Sequence, residues 1–286
     1  DMKRRALISV TDKSGIVELA RALTQANVEI IATRGTVKEL RSAGVEAIDI
    51  EALTGVGELA GGKVKTLHPS IFAGILFDRD SSTELDEMQS AGIAAIDFLV
   101  VNLYRFDEKR AESEIDIGGV ALLRAGAKNH QHVTVLSHPS QYDEVIESLP
   151  LGLSAERRRE LAGMAFATTM RNEMEISRHF AVPLRYGENP HQEGSLIKSG
   201  QGVAGAQRLD GAGGKELSYN NYLDADAAWS AVSDHPTSAA AIIKHGNPCG
   251  MAIGAELRAA FRKALECDPV SSYGGVVGFN STVDGR

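Results

Sequence analysis

The chain has 286 residues, 43% of them hydrophobic and 24% charged, with 29 glycines; this is the balance of a folded globular protein of one large or two modest domains, not of a disordered or fibrous one. Thirty Lys and Arg against 38 Asp and Glu leave a net charge of −8, which opposes a nucleic-acid backbone or an anionic membrane as partner, and 5% aromatic residues leave few platforms for stacking bases. Two cysteines, Cys249 and Cys267, are too few for a disulfide framework and lack metal-ligand spacing, so a reducing cytoplasm is expected.

The charged front Lys3-Arg4-Arg5 runs into an apolar stretch broken by Thr11-Asp12-Lys13, so no export signal is expected. Apolar runs such as Phe98 to Val101 fall far short of the roughly 18 residues of a membrane span. Ala6 to Val10 reads as a buried strand, followed by Ile16, Leu19, Ala20 and Leu23 at helical spacing. Val28 to Ala32 is a second strand, leading through Thr33-Arg34-Gly35-Thr36 into a short helix that stops at Gly44. Phe98 to Val101 and Val133 to Leu136 repeat the pattern around a helix over Val120 to Lys128. This alternation predicts an α/β fold, a doubly wound and mostly parallel sheet with ligands at the carboxyl ends of its strands. Ser154 to about Arg178 reads as a long helix, and Pro183 as a boundary between residues 1–183 and 184–286. Beyond it, Ser199 to Gly214 is loop-like, Asp224 to Ala231 helical, and Ala239 to Lys244 a strand.

Several polar clusters punctuate these elements. Gly55-Val56-Gly57-Glu58-Leu59-Ala60 matches a dinucleotide fingerprint formally, but Gly61-Gly62 would break the helix that must open there, so a structural loop is expected. Lys63-Val64-Lys65-Thr66-Leu67-His68-Pro69 surrounds a hydroxyl with two lysines and an imidazole, which reads either as an anion site or as a solvated lysine loop. Ser9, Thr11 and Lys13 follow the first strand and Thr33 to Thr36 the second; both loops open helices, whose free N–H groups favour phosphate. Convergence of these loops on one pocket is the expectation. Asp116 reads as a helix cap or as a functional carboxylate. His130 and His132 have no carboxylate or Cys at ligand spacing, so no metal is expected there. Lys244-His245-Gly246-Asn247-Pro248-Cys249-Gly250 places a base beside a fixed cation at a strand end, with Cys249 read as a small buried thiol.

In this order the motifs resemble a known family. KVKTLHP (Lys63 to Pro69), NLY (Asn102 to Tyr104), DIGG (Asp116 to Gly119) and AKNH (Ala127 to His130) resemble inosine monophosphate cyclohydrolase. RYGENPHQ (Arg185 to Gln192), KELSYNN (Lys215 to Asn221) and KHGNPCG (Lys244 to Gly250) resemble the start of AICAR formyltransferase, which adjoins it in the bifunctional family of late purine synthesis. The resemblance runs from about Ala6 to the end. Departures are Arg34 where the family usually has Gly, Phe72 for a His, Arg105 for a Pro, and a short stretch between Tyr104 and Asp116. The family's transformylase part continues beyond Arg286, so the chain is expected to hold the cyclohydrolase part whole and the other only at its start.

The resemblance implies a methylglyoxal-synthase-like first part, the beginning of a cytidine-deaminase-like α/β domain, and a homodimer. Its substrates would be formyl-AICAR, AICAR and IMP, with 10-formyltetrahydrofolate as co-substrate of formyl transfer and no cofactor or metal for cyclisation. It casts Lys65 as stabiliser of the developing oxyanion, Lys128 and Asp116 in proton transfer and orientation, and Tyr104 as a supporting hydrogen bond. Substrate would be held by Ser9, Thr11, Asp12 and Lys13; by Thr33, Arg34, Gly35 and Thr36; by Lys63, Val64 and Thr66; and by Val101, Asn102, Ile117 and Gly118. In the second part His245 would be the base, Lys244 the stabilising cation, and Arg185 and Tyr186 substrate ligands. A non-catalytic nucleotide-sensing module of the same fold is the alternative, and a methylglyoxal-synthase-type lyase a third reading.

Overall fold

Strands buried on both faces need helices on both sides, and the computed structural model arranges them that way. It describes residues 3–57, 59–104, 106, 113, 115–197 and 216–284, and the chain divides into two compact units, Asp1–Ile176 and Ser177–Arg286. The first unit runs β1 (Arg4–Ser9), α1 (Ile16–Gln25), β2 (Val28–Ala32), α2 (Arg34–Ser42), β3 (Ile48–Asp49), α3 (Ile50–Thr54), α4 (Pro69–Leu76), α5 (Ser82–Ser90), β4 (Phe98–Val101), α6 (Gly118–Lys128), β5 (Thr134–Leu136), α7 (Tyr142–Ser148) and α8 (Ala155–His179). Its sheet has the order β3-β2-β1-β4-β5, and every pairing is parallel.

The period of two along each strand sorts side chains into two cores. Ala6, Ile8, Ile30, Phe98 and Val100 face one, against Ile16, Leu19, Ala20 and Leu23 of α1. Leu7, Ile31, Leu99 and Val101 face the other, against Ile71 and Ile75 of α4 and Leu122 and Leu123 of α6. The buried residues of α8 join both, Leu161 in the first core and Ala162 and Ala165 in the second. Among the described residues of the run from Gly55 to Ala60, Gly55 ends α3 in the left-handed region at φ 66°, and Gly57 and Leu59 lie in a loop.

The second unit contains the two-stranded pair β6 (Val182–Pro183) and β7 (Ser195–Leu196), then α9 (Tyr219–Ser233), β8 (Ser238–Lys244), β9 (Asn247–Gly254), α10 (Leu257–Cys267) and β10 (Val276–Phe279). The larger sheet, β10-β8-β9, is antiparallel. Ala239, Ala241 and Ile243 of β8 meet Ala228 and Val232 of α9, while Ala240 and Ile242 meet Ala260 and Ala264 of α10. Cys249 is half-buried beside this second cluster, whereas Cys267 is exposed. The loop-like stretch Ser199 to Gly214, Lys215 and Arg105 lie outside the described residues.

Candidate active site

Chain order reverses between β1 and β4, and such a switch point leaves a crevice at the carboxyl ends of the strands. Asn102, buried just past β4, ties the two sides together: its Oδ1 accepts from the backbone N–H groups of Thr11 at 2.6 Å and Asp12 at 3.0 Å, and its Nδ2 donates to the Asp12 carbonyl at 2.8 Å. The amide expected to hold substrate is therefore committed to shaping the loop. Lys13 Nζ donates to the Val10 carbonyl at 3.2 Å, which places its charge at the end of β1. Neither α1 nor α2 has a side-chain bond at its N-cap, and each turns a positive dipole end there. Thr33 and Thr36 are buried at that edge and Ser9 is half-buried. Asp12 accepts from the backbone and hydroxyl of Ser14, which holds its carboxyl below the usual range. Exposed Arg34 is ion-paired with Glu51 at 2.6 Å, its neighbour Gly35 is also exposed, and Val101 lies wholly within the core.

Two residues past Asn102 the same segment meets Asp116. The backbone N–H of Tyr104 and that of Gly119, at 2.7 Å, both donate to the Asp116 carboxylate, and the Lys65 ammonium acts on it by charge. All three favour the ionised form, yet burial outweighs them and holds the Asp116 carboxyl above its ordinary value. A carboxyl poised in this way beside a cation suits exchange of protons. The glycine pair of DIGG makes room for the arrangement. A Cβ on Gly118 would lie 2.5 Å from Thr66 Oγ1, and one on Gly119 would lie 2.7 Å from Asp116 Oδ2 and 2.8 Å from Leu103 Cδ2. Lys65, Thr66, Tyr104, Asp116 and Gly118 thus share one place, rimmed by exposed Lys63, Val64 and Ile117.

Lys128 does not join them within the chain. It is the last residue of α6, about 15 Å of helical rise beyond Gly118, further than its side chain reaches back. The next residue, Asn129, donates to the carbonyls of Ile75 and Phe77 at the far end of α4, at 2.7 and 3.1 Å. Lys128 and the Gly118 end that meets Thr66 thus lie at opposite ends of α6. Local spacing also misled at His132, whose Nε2 lies 3.3 Å from Asp78 Oδ1 and 3.8 Å from Asp80 Oδ2. These carboxylates come from a distant loop, so His132 does stand in a group of potential metal ligands; His130 instead faces the Ala127 carbonyl. Sequence reading also missed Tyr142, buried against Asn102, whose hydroxyl burial pushes well above its ordinary value. Nothing near Tyr142 in the sequence marks that role.

In the second unit, Lys244 pairs with Asn247 across a two-residue turn, and His245 and Gly246 both take left-handed conformations, at φ 54° and 74°. The Lys244 ammonium donates to the Tyr273 carbonyl at 3.0 Å, while His245 is exposed. The Arg185 guanidinium stacks 4.8 Å from the centre of the Tyr186 ring, and the Tyr186 carbonyl accepts from Tyr219 N–H at the start of α9. The rest of that run closes on itself, with Gly187 N–H donating to the Gln192 carbonyl and Asn189 N–H to the Gln192 side chain.

A doubly wound parallel sheet with anion-suited helix starts at its switch point defines an MGS-like domain, and residues 15–130 match that domain's family model. Residues 126–286 match the family described as the AICARFT/IMPCHase bienzyme, and the chain belongs to that family. The bifunctional purine biosynthesis protein PurH of Mesorhizobium japonicum is 43% identical over 98% of this chain, and that of Rhizobium johnstonii 42% identical over 98%. The chain spans about 58% of the length of these relatives. A solved structure titled crystal structure of ForH is similar with a TM-score of 0.59 and 37% identity, covering 63% of this chain and all of that one.

Proposed function

We propose that residues 1–183 form an IMP cyclohydrolase and residues 184–286 the first part of an AICAR formyltransferase. The observation that carries the reading is Asp116, a carboxyl that burial holds above its ordinary value while the Lys65 ammonium acts on it by charge. A nucleotide sensor needs phosphate donors but no such pair. In the cyclisation, the carboxamide nitrogen of formyl-AICAR attacks the formyl carbon, and the formyl C=O becomes an alkoxide. Lys65 stabilises that oxygen, and Asp116 takes the proton which the nitrogen releases. The alkoxide is protonated and leaves as water as the formamido nitrogen gives up its proton, closing the C=N bond of inosine monophosphate.

Two amides react sluggishly, so holding them at near-attack distance supplies up to about 7–11 kcal/mol. A preorganised donor such as Lys65 adds about 3–4 kcal/mol. Lys13 and the open starts of α1 and α2 receive the ribose phosphate, with Thr33, Thr36 and Thr66 completing the pocket. No metal or prosthetic group takes part in this step.

In the formyl transfer His245 is the base toward the AICAR amine, Lys244 the neighbouring cation, Arg185 with Tyr186 the substrate ligands, and 10-formyltetrahydrofolate the donor. The protein is read as a cytoplasmic homodimer. Supporting the dimer is a stripe on α8 at i, i+4 and i+8, Phe166, Met170 and Met174, exposed by 41%, 57% and 47%. Absorbance of purified protein incubated with formyl-AICAR tests the cyclohydrolase: inosine monophosphate is the expected product, and its absence refutes the reading.

A further inference from the structure

One buried acid has no part in the chemistry above. Asp224, on the second turn of α9, is 6% exposed, and among the described residues no cation pairs with it. Its Oδ1 accepts from Gly246 N–H at 2.6 Å and its Oδ2 from His245 N–H at 3.2 Å. Both donors belong to the left-handed pair in the β8–β9 turn, where successive N–H groups form a concavity suited to an anion. A two-residue hairpin turn with both φ positive favours Asn-Gly or Asp-Gly, and histidine is a weaker choice for the first position. The carboxylate supplies what the turn residue lacks, while Asn247 Nδ2 closes the other side on the His245 carbonyl at 2.9 Å.

We propose that Asp224 is a positioning residue for formyl transfer: its buried carboxylate, seated on the N–H groups of His245 and Gly246, fixes the turn that presents Lys244 and His245. This rests on the reading of those two residues as formyl-transfer groups. A small displacement of a reacting group costs up to about a hundredfold in rate. Asp224→Ala removes both bonds; Asp224→Asn keeps the shape but turns an amide NH2 toward one of the two donors.

The test uses the full chain. In both variants the His245 and Gly246 amides are expected to exchange hydrogen at least about tenfold faster, with the rest of β8 protected as before. Formyl transfer from 10-formyltetrahydrofolate to AICAR is expected to lose about ten- to a hundredfold in kcat with KM for AICAR within about twofold, well below the melting temperature, and cyclohydrolase turnover is expected to stay unchanged. A merely structural carboxylate would lower Tm and leave kcat alone, and that result overturns the proposal. If the wild-type chain, which holds only the first part of the formyltransferase, transfers no formyl group, the positioning claim is decided by the His245 ring-proton resonances. These are expected to be shifted and sharp in wild type and to move to averaged values in Asp224→Asn; unchanged resonances overturn it.

Discussion

Replacing Gly119 by alanine separates the geometry of the carboxylate from the stability of the helix that carries it. Gly119 lies in the first turn of α6, and its φ is not in the left-handed region, so the backbone accepts a side chain. Alanine gains about 0.8–1.0 kcal/mol in helix propensity. Against this, the new methyl would stand 2.7 and 3.0 Å from the two Asp116 oxygens and 2.8 Å from Leu103 Cδ2, an overpacking that costs about 1–3 kcal/mol. The two terms leave folding within about 2 kcal/mol of wild type. The carboxylate must give way, and with it the 2.7 Å bond from Gly119 N–H. Misplacing it by about 1 Å is expected to lower cyclisation about a hundredfold, equal to about 2.7 kcal/mol of barrier. The assay is the rate of inosine monophosphate formation by Gly119→Ala beside Gly163→Ala, an exposed position on α8 where an added Cβ meets nothing within 4 Å. Gly163→Ala should raise Tm by about 2–4 °C and leave turnover unchanged. Wild-type turnover in Gly119→Ala would refute the role given to Asp116.

Lys65→Ala should lower kcat at least about a hundredfold while far-UV circular dichroism stays that of the folded chain; a wild-type rate would remove Lys65 from the mechanism. Burial holds the Asp116 carboxyl above its unfolded value of 3.8, so its contribution to stability is complete below 3.8 and is lost as the pH rises through the folded value. Asp116→Asn, which keeps an acceptor for Gly119, should therefore melt no lower than wild type at neutral pH, with its relative advantage shrinking toward pH 3.8; melts in which that advantage grows on acidification would contradict the shift. Met170→Glu puts a charge into the exposed stripe of α8 and is expected to sediment as a monomer where wild type sediments as a dimer; an unchanged dimer would move the interface elsewhere.

The first unit was legible where its strands are buried on both faces. Val28–Ala32 and Phe98–Val101 coincide with their apolar runs, and the helices α1 and α8 with their periodicity. Elements without such a pattern were not legible. β3 has two residues, one of them exposed, and β9 contains Pro248 and Gly250, residue types that weaken a strand pattern, although the hairpin pairs them with β8. In the site, residue types were readable from motifs, but distances were not. Thr66 meets Gly118 only because α4 and α6 pack side by side, and Lys128 departs because it stands at the other end of α6. Asp78 and Asp80 reach His132 from far along the chain, where no local spacing announces them.

The bare beginnings of α1 and α2 carry a further consequence. A serine or aspartate cap would be worth about 1 kcal/mol at each, and the chain forgoes it at both. On the function proposed above, an arriving phosphate supplies that stabilisation, so occupancy and foldedness become linked quantities, and the protein is expected to be hardest to unfold when that ligand is abundant.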